Sequence, residues 1–216
     1  MLCSLDHDLF LALNFDGGRQ LDRLMLIVSD TPVWIPLYLL IFWLVGRRCG
    51  WRMLPLFIVL LFGSMYAADI VAGIFKHSGP LGGLLPDFAP RWRPMFTPAL
   101  EGLPISPDSL RVLRAENLLA NPAVHVPAAA VGSSFGTVSS HAATICLLAV
   151  EACTVIRRRW FTLLMIGCTA LICYARIYLA KHFPTDLLLG AAVGLLVGWI
   201  TVTIFRCIET RFAREN

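Results

Sequence analysis

Five apolar runs, at residues 24–45, 53–75, 139–156, 161–178 and 186–205, constrain this chain more than any other feature. A hydrocarbon layer about 30 Å thick is crossed by roughly 17–25 apolar residues in a helix. Within it every backbone polar group must be satisfied internally, which helices do by themselves. The expected fold is therefore all-α: an integral membrane bundle of about five transmembrane helices. Composition agrees, since 57% of residues are hydrophobic and 15% charged, against about 45–50% and about 25% in soluble domains. The apolar runs are spread over the whole chain, so residues 1–216 are expected to form a single membrane-embedded domain. The net charge of +4 does not point to nucleic acid, because the basic residues gather at the ends of the runs, where topology explains them.

Ahead of the first run, Leu5, Leu9, Phe10 and Leu13 recur at helical spacing around Asp6, His7 and Asp8. This predicts an amphipathic helix lying in the interface within residues 1–20, turned by Phe15-Asp16-Gly17-Gly18. The start of the chain has neither a basic leader nor a small-residue cleavage site, so no signal peptide is expected. Residues 77–138 hold nine of the thirteen prolines and read as a long external loop. Within it, Ser106-Pro107-Asp108 before LRVLRAENLLA predicts an N-cap and a short helix. Seven cysteines, six of them in or beside apolar runs, predict no structural disulfide.

Charge orients the bundle. Arg47, Arg48, Arg52, Arg157, Arg158, Arg159, Arg206, Arg211 and Arg214 lie on one side with three acids, Glu151, Glu209 and Glu215. The other side carries nine cations and eleven acids. Basic loops stay cytoplasmic, so the long loop and the N-terminus are expected outside.

On that outer side polar residues recur where hydrocarbon should begin. Arg176, His182 and Asp186 lie in ARIYLAKHFPTD, and Ser139-Ser140-His141 heads another run. His182 and Asp186 are four apart and share a helix face if the next helix has begun, a start that Pro184 favours. A carboxylate one turn from an imidazole can hold the ring and stabilise its cation. Arg176 brings a planar fork suited to phosphate oxygens. Lys76 and Arg93 add two cations from elsewhere in the chain. Each residue alone reads as an interfacial cap or a snorkelling cation, but their convergence from three places has no such explanation. Two histidines and an aspartate could ligate zinc, yet no HExxH occurs and the cations would repel a metal, so no metal and no cofactor are expected. Glu151 and Asp69, acids inside apolar runs, carry the transport alternative, since a central aspartate costs about 2.5–3.5 kcal/mol and marks ion paths. Against it, five runs show no inverted repeat.

Arg176-x5-His182-x3-Asp186, with Ser139-x-His141, Lys76 and Arg93-Pro94, resembles the type-2 phosphatidic acid phosphatase superfamily from Met53 onward. Three departures stand out. Ala175 replaces a usual serine, Val138-Ser139-Ser140-His141 replaces Pro-Ser-Gly-His, and Lys76 stands seventeen positions before Arg93 where the family's lysine stands seven before. Either the intervening SGPLGGLLPDF is an insertion folded away from the site, or Lys76 is not the equivalent lysine and Arg91 shares its role.

The resemblance implies a membrane lipid phosphatase with His182 as nucleophile, Asp186 behind it and His141 as acid and base. Arg176, Arg93, Lys76, Ser139 and Ser140 would hold phosphate. The implied partner is a phospholipid or glycolipid phosphate, with lipid A or undecaprenyl diphosphate favoured, at the periplasmic face of a bacterial inner membrane. A phosphotransferase using the same site is the near alternative.

Overall fold

The apolar runs lie in helices, the first run divided between two of them, in the computed structural model, which describes residues 2–96, 123–130 and 134–215. In chain order these are α1 (Leu2–Leu13), α2 (Gly18–Val28), a 3-10 turn (Thr31–Trp34), α3 (Ile35–Cys49), α4 (Leu54–Ile74), α5 (Ser140–Ile156), α6 (Arg159–Tyr178) and α7 (Pro184–Glu215). No strand occurs among the described residues; Trp92 and Phe135 form one isolated antiparallel bridge. The helix predicted after Ser106 lies outside the described residues.

Among the described residues, four segments are long and apolar enough to cross a membrane: Thr31–Cys49, Leu54–Ile74, Arg159–Tyr178 and Pro184–Phe212. The predicted third span is α5, at 17 residues the shortest. Its length, about 26 Å at 1.5 Å per residue, falls just under the hydrocarbon thickness. It is also the most enclosed, with Ala142, Ala143, Leu147, Leu148 and Ala152 at or below 1% exposure. The outer helices instead turn large apolar side chains outward, among them Leu39, Val59, Phe62, Leu163, Ile166, Leu188 and Trp199. Such a continuous apolar surface suits lipid, and the chain is a multi-pass helical membrane protein.

A seam of small residues sets α5 against α7. A Cβ added at Gly190 would lie 2.4 Å from the Ser139 carbonyl oxygen, at Gly194 2.1 Å from that of Ala143, and at Gly198 3.1 Å from that of Leu147. Glycine every fourth residue thus lets α7 lie directly on the α5 backbone, as small residues do between membrane helices. Deeper in the bundle the Ser64 hydroxyl donates to Glu151 Oε1 at 2.8 Å, and Thr201 hydrogen-bonds the same carboxylate. Glu151 is 2% exposed. It therefore joins α4, α5 and α7 as a satisfied buried group, which answers the transport reading of this residue.

The N-terminal third departs from the sequence expectation. The first predicted run does not begin a span at residue 24: residues 24–28 finish α2, and the spanning helix starts after Ser29-Asp30. Pro32 and Pro36, which cannot donate to a preceding turn, both sit just inside new helical segments, where that loss is tolerated. Helix α7 runs on past the end of the fifth apolar run at Phe205 to Glu215. The interfacial helix is present as α1, with Leu5 and Leu9 exposed and Phe10 buried. Its Asp6, which the apolar pattern does not single out, is 5% exposed and accepts from the Thr185 backbone N–H at 3.0 Å and the Thr185 hydroxyl at 2.7 Å. A carboxylate from α1 thereby caps the start of α7. The six described cysteines are free; the side chain of Cys3 lies outside the described set.

Candidate active site

Helix α6 ends in a way that returns the chain upon itself. Ala180 is left-handed at φ 51°. Its N–H donates to the Ile177 carbonyl at 2.9 Å and that of Lys181 to the Arg176 carbonyl at 3.0 Å. This pair of bonds is the Schellman arrangement, usually built on glycine. It places Lys181 and His182 beside the last turn of α6, where Arg176 sits, before Pro184 starts α7.

The far wall comes from the long loop. Residues 91–93 pair with 134–137: the Arg93 N–H donates to the Ser134 carbonyl at 3.1 Å and the Gly136 N–H to that of Arg91 at 2.9 Å. Arg93 Nε donates to the Phe135 carbonyl at 3.1 Å. The pairing aims the Gly136 carbonyl at His182, whose Nδ1–H donates to it at 2.9 Å. A Cβ at Gly136 would stand within 3.3 Å of Arg93, Asp186 and the Lys181 carbonyl, so a side chain here would crowd all three.

The expected His182–Asp186 hydrogen bond is replaced by this carbonyl contact. Asp186 Oδ2 lies 3.7 Å from Nδ1, beyond hydrogen-bond reach, and accepts instead from the Phe183 N–H at 2.9 Å. The reason is local. His182 precedes the helix by two residues, so the two side chains do not stack as they would one turn apart in a formed helix. Asp186 stays close enough to act as a charge. The Nδ1 bond leaves Nε2 as the lone-pair nitrogen. Burial, to which the charges of Arg176 and Arg93 add, holds the imidazole well below the usual histidine range, so the ring is neutral.

Cations gather around it. Arg176 is 4% exposed, its Nη1 donates to the Ser29 hydroxyl at 2.6 Å, and its buried Nε has no hydrogen-bond partner among the described residues. Lys76 donates to the Ser140 hydroxyl at 2.6 Å. Burial lowers the Lys76 pKa, the Asp69 carboxylate opposes that, and Arg93 and Arg176 reinforce it. Lys181, not singled out in the sequence, is brought down to about 8 by burial and by Arg176 and Arg93. Ser139 caps α5, its hydroxyl accepting from the Ala142 N–H at 3.4 Å, and its own N–H donates to the Asp186 carbonyl at 3.1 Å. His141 follows in the first turn of α5, and its ring hydrogen-bonds the Ser29 backbone. All eight residues expected from sequence thus lie at one end of the bundle. The bridging Ser29 and Gly136 carry no chemical signature of their own and emerge only from the fold.

The two readings of the long Lys76–Arg93 spacing separate here. Residues 77–90 form their own turns, with Phe88 edge-on to Phe75 at 5.6 Å and a His77 Nε2 contact to the Leu85 carbonyl at 3.0 Å. Lys76 meanwhile keeps its place beside Ser140. Arg91 is engaged on the Asp186 side: its guanidinium lies 3.7 Å over the Phe183 ring, and its Nη1 reaches Asp6 Oδ2 at 2.6 Å and the Thr185 hydroxyl at 2.9 Å and stands 3.6 Å from Asp186 Oδ1. Outside this centre, Asp16, Asp22 and His125 offer ligand atoms within 4.8 Å of one another, and those atoms serve a clasp. His125 Nε2 lies 2.8 Å from Asp22, which also accepts from the Tyr178 hydroxyl at 2.7 Å.

A neutral, tautomer-fixed imidazole among four cations is suited to attack on an anionic phosphorus, the charges being neutralised without reorganisation. Comparison with known proteins finds a matching family and two relatives. The sequence profile of the PAP2 superfamily matches residues 57–208. The chain is 25% identical to a Lipid A 4'-phosphatase of Bacteroides thetaiotaomicron over 215 residues, covering all of this chain and 83% of the relative. It is 32% identical to a Lipid A 4'-phosphatase of Porphyromonas gingivalis over 81 residues, covering 38% of this chain and 34% of that one. No solved structure matches it at a significant level.

Proposed function

The chain belongs to the PAP2 superfamily, and on that premise we propose that it is a lipid phosphatase removing a phosphate monoester from the sugar headgroup of a lipid A-type glycolipid. The observation that carries the chemistry is the buried, neutral His182 with its Nδ1–H held by the Gly136 carbonyl. The two relatives named for lipid A carry the substrate class.

His182 Nε2 attacks phosphorus; the P–N bond forms as the bond to the sugar oxygen breaks. The imidazole becomes cationic, and the Gly136 carbonyl at 2.9 Å and the Asp186 carboxylate at 3.7 Å stabilise that charge. Arg176, Arg93, Lys76 and Lys181 hold the equatorial oxygens, with Ser140 orienting Lys76. His141 gives a proton to the leaving sugar oxygen. It then takes one from the water that attacks the phosphohistidine, so that phosphate leaves and His182 returns neutral. No step calls on a metal. The bias of nine arginines against three acids supports a site on the outer face of a bacterial inner membrane.

Rapid-quench labelling with a ³²P glycolipid monophosphate tests this reading. Wild type should accumulate acid-labile, base-stable phosphate on His182, in the presence or absence of EDTA. His182→Ala should form none, and His141→Ala should form it slowly. Labelling that persists in His182→Ala, or that vanishes with chelation and returns with Mg²⁺, would reject the mechanism.

A further inference from the structure

Resting on the proposed function, the inference concerns which leaving group that site accepts. A half-open cavity of about 210 Å³ lies between the start of α3 and helices α4 and α5, with His141 in its wall. Ser29, Thr31, Trp34, Tyr38 and Asp69 line it as well. The departing oxygen must stand beside the group that protonates it, so whatever is attached to that oxygen occupies this cavity. Its volume falls below the roughly 300–1,000 Å³ of sites that enclose a drug-sized ligand. It therefore admits a ring-sized headgroup and leaves acyl chains among the lipids.

Asp69 is the unexpected wall residue. It lies within an apolar helix that ends two residues before Lys76, and its charge reaches that ammonium. Among the described residues its carboxylate accepts no hydrogen bond, and it is exposed. An ionised carboxylate only accepts hydrogen bonds and repels phosphate. On the leaving-group side of a cationic centre it fits one kind of neighbour, a neutral group that donates. Trp34 and Tyr38 add flat apolar surface beside it; the Trp34 indole N–H is already committed to the Val28 carbonyl at 2.9 Å.

We propose that this cavity is the leaving-group subsite and that Asp69 selects substrates whose leaving alcohol is a sugar ring bearing hydroxyl or amide donors, over a diacylglycerol. A lost hydrogen bond to a charged group corresponds to about a 10–100-fold change.

The test compares Asp69→Ala and the isosteric Asp69→Asn with wild type in detergent micelles. Each is assayed on a hydroxyl-bearing glycolipid monophosphate, and for inhibition by inorganic phosphate. We expect kcat/KM on the glycolipid to fall at least tenfold, mainly through KM, while the inhibition constant for phosphate stays within twofold. Asp69→Asn decides the matter should Asp69→Ala fail to fold. Equal losses in both readouts would mean that Asp69 only tunes Lys76 and would overturn the proposal. Unchanged glycolipid turnover would overturn it too, leaving the phosphatase reading intact. If wild type cleaves phosphatidic acid but no glycolipid phosphate, this proposal and the glycolipid assignment fall together and the phosphohistidine chemistry survives.

Discussion

Asp186→Asn separates two ways in which an acid can serve a nucleophilic histidine. Where the acid holds the Nδ1–H, losing it lets the ring take the wrong tautomer, at a cost of about 10⁴-fold. Here the Gly136 carbonyl holds that proton at 2.9 Å, and Asp186 stands 3.7 Å away as a charge. Asparagine keeps an oxygen for the Phe183 N–H, so the start of α7 should persist and only the charge is lost. At this separation and an effective dielectric of about 20, a full imidazolium–carboxylate interaction is about 4.5 kcal/mol. At 1.36 kcal/mol per decade this bounds the loss at about 10³-fold. Because the imidazolium develops only as the P–N bond forms, the loss belongs to kcat, and KM should change little. The assay is single-turnover formation of phosphohistidine, with ¹⁵N NMR of the labelled ring in parallel. The Nδ1–H tautomer should be retained. A loss under tenfold would reduce Asp186 to a helix cap. A changed tautomer with a loss above 10⁴-fold would refute the role given to Gly136.

Other residues give sharper contrasts. Lys181, held at about 8, is charged below that pH and neutral above it, so phosphate capture should weaken as pH rises through 8. Since kcat/KM reports the free enzyme, its alkaline limb should move upward in Lys181→Arg, and an unmoved limb would exclude Lys181 from the site. Lys76→Ala should raise KM or lower kcat at least tenfold with normal thermal stability. Arg91→Ala should instead lower thermal stability, through the loss of its own hydrogen bonds to Asp6 and Thr185, at closer to native KM; the reverse pattern would make Arg91 the phosphate ligand. Gly194→Ala sets a methyl group 2.1 Å from the Ala143 carbonyl oxygen and should destabilise the protein in detergent by about 1–3 kcal/mol or more. Gly63→Ala, with nothing within 4 Å, should have no such effect, and equal melting temperatures would argue against the seam.

Burial of apolar runs in lipid is a matter of composition over some twenty residues, so helix α4 was legible to within a residue at each end, as was the Arg157–Arg159 turn between α5 and α6. Rare polar side chains were legible as a cluster for the same reason. An arginine, two histidines and an aspartate at the mouths of apolar helices stand out from their background whatever the fold.

Contacts made by backbone or by common residues were not. The partner of His182 is a glycine carbonyl 46 residues away, and every residue has a carbonyl. Ser29 touches Arg176 because a helix breaks there, and that break turned a predicted span into two helices. The every-fourth glycines at Gly190, Gly194 and Gly198 were readable as a pattern, but only packing shows that their neighbour is α5. Spacing left Lys76 and Arg91 interchangeable. The fold separates them, because turns between residues 77 and 90 take up the extra chain while the end of α4 carries Lys76 to Ser140. Local propensity and hydropathy act over one or two turns of chain, whereas the placement of a donor against an acceptor depends on how distant helices pack.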